Sequence, residues 1–333
     1  MSPATVPPRP GAPEWDGELI VTEREVVADG VVMIALGCPD GSPLPRWDPG
    51  AHVDLVLAPT IIRQYSLCGD PGDRASWRIA VLREPESRGG SRLVHDSLIA
   101  GSTVRVRGPR NNFPLVDADR YLFIAGGIGI TPIRTMIAAA EAAGREWTLL
   151  YGGRTRGAMA FLNDFDDRAP TWASSASGRV VVTPQDEAGL LDLDAHLGAP
   201  DPGAVVYCCG PEGLLDAVES KCATWPPGSL HVERFRPRGD AQSSASRFQV
   251  ELRRSARTIT VERDRSILQT LENAGVDVLT SCEEGTCGTC MVPVLDGIPD
   301  HRDSVLTGAE RASGEQILVC VSRSHSPTLV LDL

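Results

Sequence analysis

The stretch "YLFIAGGIGITPIRTMIAAAEAAG", residues 121–144, changes its hydrophobic period part-way along. Its opening "YLFIAGG" is a continuous apolar run, the pattern of a strand buried on both faces of a parallel sheet. "TPIRTMIAAAEAAG" then reads as a helix, with Thr131 as N-cap, Pro132 at the first helical position and Gly144 as the stop. Between them "AGGIGITP" (125–132) is a Gly-rich turn joining strand to helix, where a pyrophosphate can approach bare backbone. It reads Gly-x-Gly-x-x-Pro, and no Gly-Lys-Ser/Thr follows, so it is not a nucleoside-triphosphate loop. The apolar runs "WTLLYGG", "RVVVTPQ" and "AVVYCCG" read as further strands, with "GAMAFLNDF" and "PEGLLDAVESKCA" as helices. This alternation predicts a doubly wound α/β domain over 114–236. Arg154, Thr155 and Arg156 in "YGGRTRGAMAFL" end the second strand, over the ribose and phosphates of a nucleotide. Gly210 and Pro211 in "YCCGPEG" turn at the same edge of the sheet.

Upstream, residues 16–113 carry a different pattern. "HVDLVL" (52–57), "WRIAVLRE" (77–84) and "STVRVRG" (102–108) alternate apolar and polar residues between Pro/Gly clusters, which predicts an antiparallel β-barrel or sandwich. "RQYSLCGDP" (63–71) offers an anion partner in Arg63, an aromatic surface in Tyr65 and a hydroxyl in Ser66, the set a flavin requires. "SRGGSRLVHDSL" (87–98) opens a predicted helix with two glycines and a serine, giving unpaired N–H groups suited to a phosphate.

Downstream, the polar "RPRGDAQSSASR" (236–247) reads as a linker, placed at 237–246, ahead of a module spanning 247–333. That module mixes the strands "RFQVELRR", "RTITVER" and "ILVCVSR" with one helix, "SILQTLENAG". It contains Cys282-x4-Cys287-x2-Cys290 and, after twenty-nine residues, Cys320. Structural zinc usually takes two separate Cys-x2-Cys pairs, and only one is present. The spacing is that of a plant-type 2Fe-2S cluster, and Gly285 and Gly288 suit a loop wrapped tightly round sulfide. Such a centre moves one electron at a time and needs a donor.

The whole chain has 333 residues and a net charge of −12, which argues against nucleic acid or an anionic membrane as partner. The start, "MSPATVPPRPGAPEW", has no basic stretch leading into an apolar one, so it reads as a disordered or draped leader over 1–15, not an export signal. With no export signal, the nine cysteines do not suggest a disulfide framework, and a cytoplasmic monomer is expected. Residues 247–333 hold nine arginines against thirteen acidic residues, and Glu283 and Glu284 lie inside the cluster loop. A basic face on the electron acceptor is the expected complement.

Together these motifs resemble the phthalate-dioxygenase-reductase type of flavo-iron-sulfur reductase over residues 16–333. The resemblance implies an FMN barrel, a nicotinamide domain of the ferredoxin-reductase kind and an α+β, β-grasp-like plant-type ferredoxin, in that order. It makes Arg63, Tyr65, Ser66 and Leu67 the family's flavin motif. The strand residues Ala80, Val81 and Leu82 and the phosphate loop Gly89, Gly90 and Ser91 become further flavin contacts. The family's Gly-Gly-x-Gly-x-Thr-Pro matches Gly126 to Pro132, bringing Gly127 and Gly129 to the nucleotide and Thr131 near the flavin ring. Cys209, Gly210 and Pro211 match its Cys-Gly-Pro, with Cys209 lining the nicotinamide pocket; Cys208 has no such match and is expected in the core. The family's aromatic residue closing the nicotinamide domain falls on Phe235, and "HRDSVLT" (301–307) resembles the segment after the cluster loop.

The implied activity passes hydride from NADH or NADPH to FMN and single electrons onward to the cluster. A separate oxygenase then receives them, either a Rieske-type aromatic oxygenase or demethylase or a haem-thiolate monooxygenase. Cys209, Thr131 and Glu233 are the residues implied to tune the hydride step, none of them as a general base. FMN rather than FAD follows from the domain order, because FAD-binding relatives share the Arg-x-Tyr-Ser motif. Arg154 and Arg156 can accept a 2′-phosphate, so the nucleotide stays open. A redox sensor and a flavin or quinone reductase with an incidental cluster are the rival readings, disfavoured by the linker and the complete ligand set.

Overall fold

The computed structural model describes residues 15–85, 89–165, 178–236 and 246–333. Most of the expected leader (1–14), most of the linker (237–245) and the start of the expected phosphate loop (87–88) lie outside the described residues.

Six strands form the first unit: β1 (Trp15–Ala28), β2 (Val31–Gly37), β3 (His52–Ala58), β4 (Ile61–Ser66), β5 (Trp77–Leu82) and β6 (Thr103–Arg110). They run antiparallel in the order β4-β3-β6-β1-β2-β5. Leu67, just past β4, bridges to Ile79 on β5, so the two edge strands meet and the sheet closes into a barrel. Alternation sends Val53 and Leu55 inward, where they join Leu19, Ile34, Trp77 and Val106. Helix α1 (Gly90–Ser97) is held to β5 by His95, whose Nε2 lies 2.9 Å from the Val81 carbonyl.

The second unit is a parallel sheet of β7 (Arg120–Gly126), β8 (Glu146–Gly153), β9 (Gly178–Pro184), β10 (Ala204–Cys209) and β11 (Leu230–Glu233), ordered β11-β10-β7-β8-β9. Around it lie α2 (Ile130–Ala142), α3 (Gln185–Ala188), α4 (Asp194–Leu197) and α5 (Glu212–Lys221). Strand order reverses between β7 and β10, which opens a crevice at their carboxyl ends. Gly129 presses against backbone there: a Cβ would fall 2.2 Å from the Cys209 carbonyl oxygen. Gly127, at φ +54, faces open space instead.

Two local expectations are corrected. Thr131 is not the N-cap: α2 begins at Ile130, after a 3-10 turn over Gly127–Gly129, and Thr131 Oγ1 donates to the Ile128 carbonyl. "GAMAFLNDF" is not one helix but two 3-10 turns, Arg156–Ala158 and Leu162–Phe165. Arg134 supplies the reason, since it draws Asp164 to 2.6 Å, lies over the Phe161 ring and donates to the Cys68 carbonyl of the barrel.

The third unit has β12 (Phe248–Leu252), β13 (Arg257–Val261), β14 (Met291–Asp296), β15 (Pro299–Asp300), β16 (Gln316–Leu318), β17 (Arg323–Ser324) and β18 (Thr328–Leu331). Its five-stranded sheet, β13-β12-β18-β14-β16, is antiparallel except for the β12/β18 pair. Helix α6 (Ile267–Asn273), started by a Ser266–Gln269 capping box, buries Ile267, Leu268 and Leu271, and α7 (Gly308–Ser313) follows the cluster loop. "ILVCVSR" is not a continuous strand: β16 ends at Leu318, and Cys320 sits on the turn before β17. The architecture is multidomain: antiparallel barrel, doubly wound α/β sheet, α+β ferredoxin. No helix among the described residues is long and apolar enough to cross a membrane.

The first two units share one core, in which Val31, Met33, Cys68 and Ala80 pack with Phe113, Phe123, Ile130 and Met136. The third has its own. Because the Gly129 contact is backbone against backbone, Gly129→Ala should destabilise the protein by about 1–3 kcal/mol. Gly213→Ala, on α5 with open space around it, should instead stabilise by about 0.5–1 kcal/mol. Urea unfolding of the purified protein checks both, and equal midpoints would contradict the packing role of Gly129.

Candidate active site

Pairing of β3 with β4 sorts the "RQYS" residues by face. Arg63 and Tyr65 lie opposite Leu55 and Val53, while Gln64 and Ser66 lie opposite Asp54 and His52. The resulting cleft is lined by Arg63 and Ser66 from the barrel, Glu233 and Phe235 from the second unit, and Glu284 from the cluster loop. Arg63 runs under the start of α1, where a Cβ on Gly90 would fall 2.5 Å from Arg63 Cγ. A guanidinium beside a helix N-terminus fits the phosphate of a flavin, and the close approach of the bare Gly90 backbone is what brings them together. Tyr65 is half-buried against the barrel core, and burial pushes its phenol up, so it stays neutral. A larger depression, about 660 Å3, opens at the opposite edge of the parallel sheet beside Arg120, Glu146 and Arg179, away from the strand ends where nucleotides bind.

The other residues implied for the flavin divide by burial. Leu67 and Val81 are inside the barrel core, and Ala80 belongs to the core shared with the second unit. Leu82 packs partly against that shared core. Gly89 precedes α1 with φ +94, and Ser91 Oγ accepts from the Glu84 N–H at 3.1 Å.

Barrel and nicotinamide sheet meet at the hydride side. Cys209 ends β10 with no exposure, and its thiol lies 3.8 Å from Glu233 Oε2 at the end of β11. Ser66 of the barrel lines the same cleft and favours the ionised form of that carboxyl. Burial pushes Glu233 up to about 8, partly offset by Cys209 and Ser66. Burial also holds the Cys209 thiol well above its usual range, so this pair meets neutral pH as thiol and carboxylic acid. Arg234, side by side with Glu233, is caged by Glu212, Asp216 and Glu219 of α5, which fixes the turn that carries Glu233 and Phe235. Thr131 is buried in the first turn of α2, with its hydroxyl proton directed at Ile128. Arg154 and Thr155 follow β8, and Arg156 pairs with Glu187 at 3.2 Å. Gly210 and Pro211 close against Gly126 across the crevice.

In the third unit Cys282, Cys287, Cys290 and Cys320 are all buried. The neighbour that most affects the Cys282 thiol is Cys287, and for Cys290 it is Cys320, which sorts the four into two pairs. Four thiolates arranged two and two are the donor set for two sulfide-bridged irons. The N–H groups of Glu284 and Thr289 point at the sulfurs of Cys282 and Cys287, at 3.3 and 3.4 Å. Gly285 and Gly288 take φ of +72 and +76, and a Cβ on Gly285 would fall 2.6 Å from Val321 Cγ2. "HRDSVLT" supports the loop from beneath: Ser304 N–H donates to the Gly285 carbonyl, and buried Asp303 accepts from the N–H groups of Val305 and Leu306.

The sequence did not single out the contacts between this loop and the barrel. Asn112 Nδ2 donates to the Cys287 carbonyl at 2.9 Å, Thr286 Oγ1 donates to Gln64 Oε1 at 3.1 Å, and Ser281 Oγ donates to Asp54 Oδ2. One signal was available: Asp54 is a charge in the strand "HVDLVL", and on an outward position it needs a partner if covered. Glu284 corrects an expectation, because it faces Arg63 at 3.9 Å and lines the cleft instead of standing toward an acceptor; Glu283 is exposed.

Bound FMN would supply the change from hydride to single-electron chemistry, which no side chain supplies. Cys209, Glu233 and Ser66 place uncharged polar groups at the junction of barrel and sheet. A flavin cleft shared with a nicotinamide crevice and covered by a cluster loop defines a flavo-iron-sulfur electron-transfer reductase. Residues 250–325 match the 2Fe-2S iron-sulfur cluster binding domain family, and residues 123–220 match the oxidoreductase NAD-binding domain family. The chain is 42% identical over 308 residues to phenoxybenzoate dioxygenase subunit beta of Ectopseudomonas oleovorans, covering 92% of this chain and 94% of that one. It is 37% identical to phthalate dioxygenase reductase of Burkholderia cepacia, covering 96% of this chain and 99% of that one. Among solved structures, phthalate dioxygenase reductase, a modular structure for electron transfer from pyridine nucleotides to 2Fe-2S, aligns over 96% of this chain and 98% of its own with TM-score 0.67 and 36% identity. An intact type IV self-sufficient cytochrome P450 monooxygenase aligns over 96% of this chain with TM-score 0.86 and 44% identity, and this chain spans 41% of it. The chain belongs to the phthalate-dioxygenase-reductase family. It is an NAD(P)H-dependent oxidoreductase with FMN and a 2Fe-2S cluster, the reductase component of an oxygenase system.

Glu233 makes stability depend on pH. An unfolded chain releases this proton near the ordinary value of 4.5, whereas the folded chain holds it to about 8. Its contribution is therefore most favourable below 4.5 and is lost as pH rises toward 8. Glu233→Gln should flatten that part of the Tm-against-pH curve and raise Tm most at pH 8. A parallel pair of curves, measured by calorimetry, would remove Glu233 as the cause.

Proposed function

We propose that this chain oxidises NADH at the crevice, passes the electrons through FMN to a cluster held by Cys282, Cys287, Cys290 and Cys320, and delivers them to a separate terminal oxygenase acting on aromatic acids. The observation that carries this reading is the seat of the cluster loop: Thr286 bonds Gln64, the residue between the flavin-strand residues Arg63 and Tyr65. The functional units run 16–113, 114–236 and 247–333, in a cytoplasmic protein. Arg63, Tyr65 and Ser66 hold the flavin with Gly89, Gly90 and Ser91. Cys209 and Glu233 act at the nicotinamide, where Phe235 stands at the cleft with 41% exposure. The aromatic-acid class is supported by the phenoxybenzoate and phthalate dioxygenases named for the relatives. A haem-thiolate acceptor is the second reading, favoured by the TM-score of 0.86 to the self-sufficient P450 against 0.67 to the phthalate enzyme.

NADH is the nucleotide of choice because Glu187 occupies Arg156, and its carboxylate repels a 2′-phosphate. Anaerobic titration followed by absorbance and low-temperature EPR should show NADH bleaching the flavin and producing a reduced-cluster signal. NADPH should do so more weakly, and Glu187→Gln should narrow the gap about tenfold or less. Flavin bleaching with no cluster signal would end the reading. Equal use of both nucleotides by the unsubstituted protein would end the NADH assignment alone.

The side of the loop turned away from the barrel is the exit. Leu279, just before the loop, is 79% exposed, and Glu283 within it is exposed with φ 55. Glu283→Gln should slow delivery to a purified aromatic-acid oxygenase or to a P450, with a weaker salt dependence, and leave cluster reduction by NADH unchanged. The acceptor that receives electrons at the higher rate identifies the partner class, and an unchanged rate and salt slope for both would exclude Glu283 from the exit.

A further inference from the structure

We infer that Asp54 is a buried positioning hub that aligns one half of the cluster loop with the flavin barrel, and so sets the rate of flavin-to-cluster electron transfer. Asp54 is on β3, between β4 and β6, and points to the outer face of the barrel, yet it has no exposure. The ferredoxin unit covers it. Its Oδ1 accepts from Arg110 Nη2 of β6 and from Gln64 Nε2 of β4 at 2.9 Å, and its Oδ2 accepts from Ser281 Oγ of the loop. Arg110 and the hydrogen bonds hold its carboxyl below the usual range against the cost of burial. His52 beside it, lowered by burial to about 4, adds no positive charge at neutral pH.

The consequence lies in the Gln64 amide. With its NH2 given to Asp54, its oxygen is turned to the loop, where it accepts from Thr286 Oγ1 at 3.1 Å. One carboxylate therefore holds Ser281 directly and Thr286 through Gln64. Ser281 immediately precedes Cys282 and Thr286 immediately precedes Cys287, the residues of one thiol pair. Asn112 adds a third grip on the Cys287 carbonyl. Cys290 and Cys320 receive no such grip from the barrel among the hydrogen bonds described. The hub thus orients the Cys282/Cys287 side of the loop toward the flavin, and it does so with polar groups alone.

This rests on the reductase reading, and the test separates the two. Ser281→Ala with Thr286→Val removes both grips without touching the cysteines; Asp54→Asn removes the charge that orients Gln64. Stopped-flow with NADH resolves flavin reduction from cluster reduction, and hydrogen exchange followed by mass spectrometry reads the docking of residues 281–290 directly. In both variants, at full cluster content, flavin reduction should be unchanged, cluster reduction should slow about tenfold or more, and the loop amides should exchange faster. If Asp54→Asn does not fold with Arg110 left beside it, the loop double variant carries the test. Unchanged cluster reduction and unchanged exchange in the double variant would overturn the hub while leaving the reductase reading intact. Faster exchange with unchanged cluster reduction would overturn the rate-setting role. Absence of cluster reduction in the unsubstituted protein would overturn both.

Discussion

A carboxylate with no exposure, Asp54, stands on the outside of a β-barrel, and the placing of the cluster follows from how its charge is satisfied. An ionised group out of water is expensive unless it is paired and fully hydrogen-bonded. Here Arg110 and Gln64 come from the two neighbouring strands and Ser281 comes from another domain. Removing the ferredoxin unit would take one of these partners from Asp54, so the cost of burying the charge is tied to one way of docking. Apolar contact could hold two surfaces together with several registers; a buried carboxylate with three directed donors favours one.

The molecule uses two kinds of joint. Barrel and nicotinamide sheet share an apolar core around Phe113, Phe123 and Met136, and Arg134 links α2 to the Cys68 carbonyl of the barrel. Such a joint keeps the two ring-binding surfaces at fixed separation, as hydride transfer demands. The ferredoxin unit has a separate core, and its described hydrogen bonds to the barrel are polar and few. A polar joint of this kind is specific in register yet weaker than a shared core, which suits a carrier that must meet a second protein on its other side.

At the hydride side the physical theme is burial without charge. Desolvation raises both Cys209 and Glu233, and Ser66 of the barrel lines the same cleft. A thiol, a hydroxyl and a carboxylic acid can orient rings and share protons without placing a fixed charge beside a hydride in motion. The cage of Glu212, Asp216 and Glu219 around Arg234 keeps charge a step away and holds the backbone that carries Glu233.

Much of this was legible in the chain because it depends on local periods and spacings. Alternation in "HVDLVL" and "WRIAVLRE" gives strands, the continuous run at 121–127 gives a buried parallel strand, and Cys-x4-Cys-x2-Cys with a distant Cys gives a cluster loop. Local signals misled where a distant partner intervened, as when Arg134 and the barrel drew 157–165 into 3-10 turns in place of a helix. Glu283 and Glu284 are chemically identical neighbours in sequence, and only the docked barrel separates them, turning one to Arg63 and leaving the other in water. The bond from Ser281 to Asp54 spans 227 residues. The sequence by itself determined the three folds and their order, because strand, helix and ligand spacing are short-range properties. Which face of each fold meets the next was decided by tertiary structure alone, because burial of a charge has no local period to announce it.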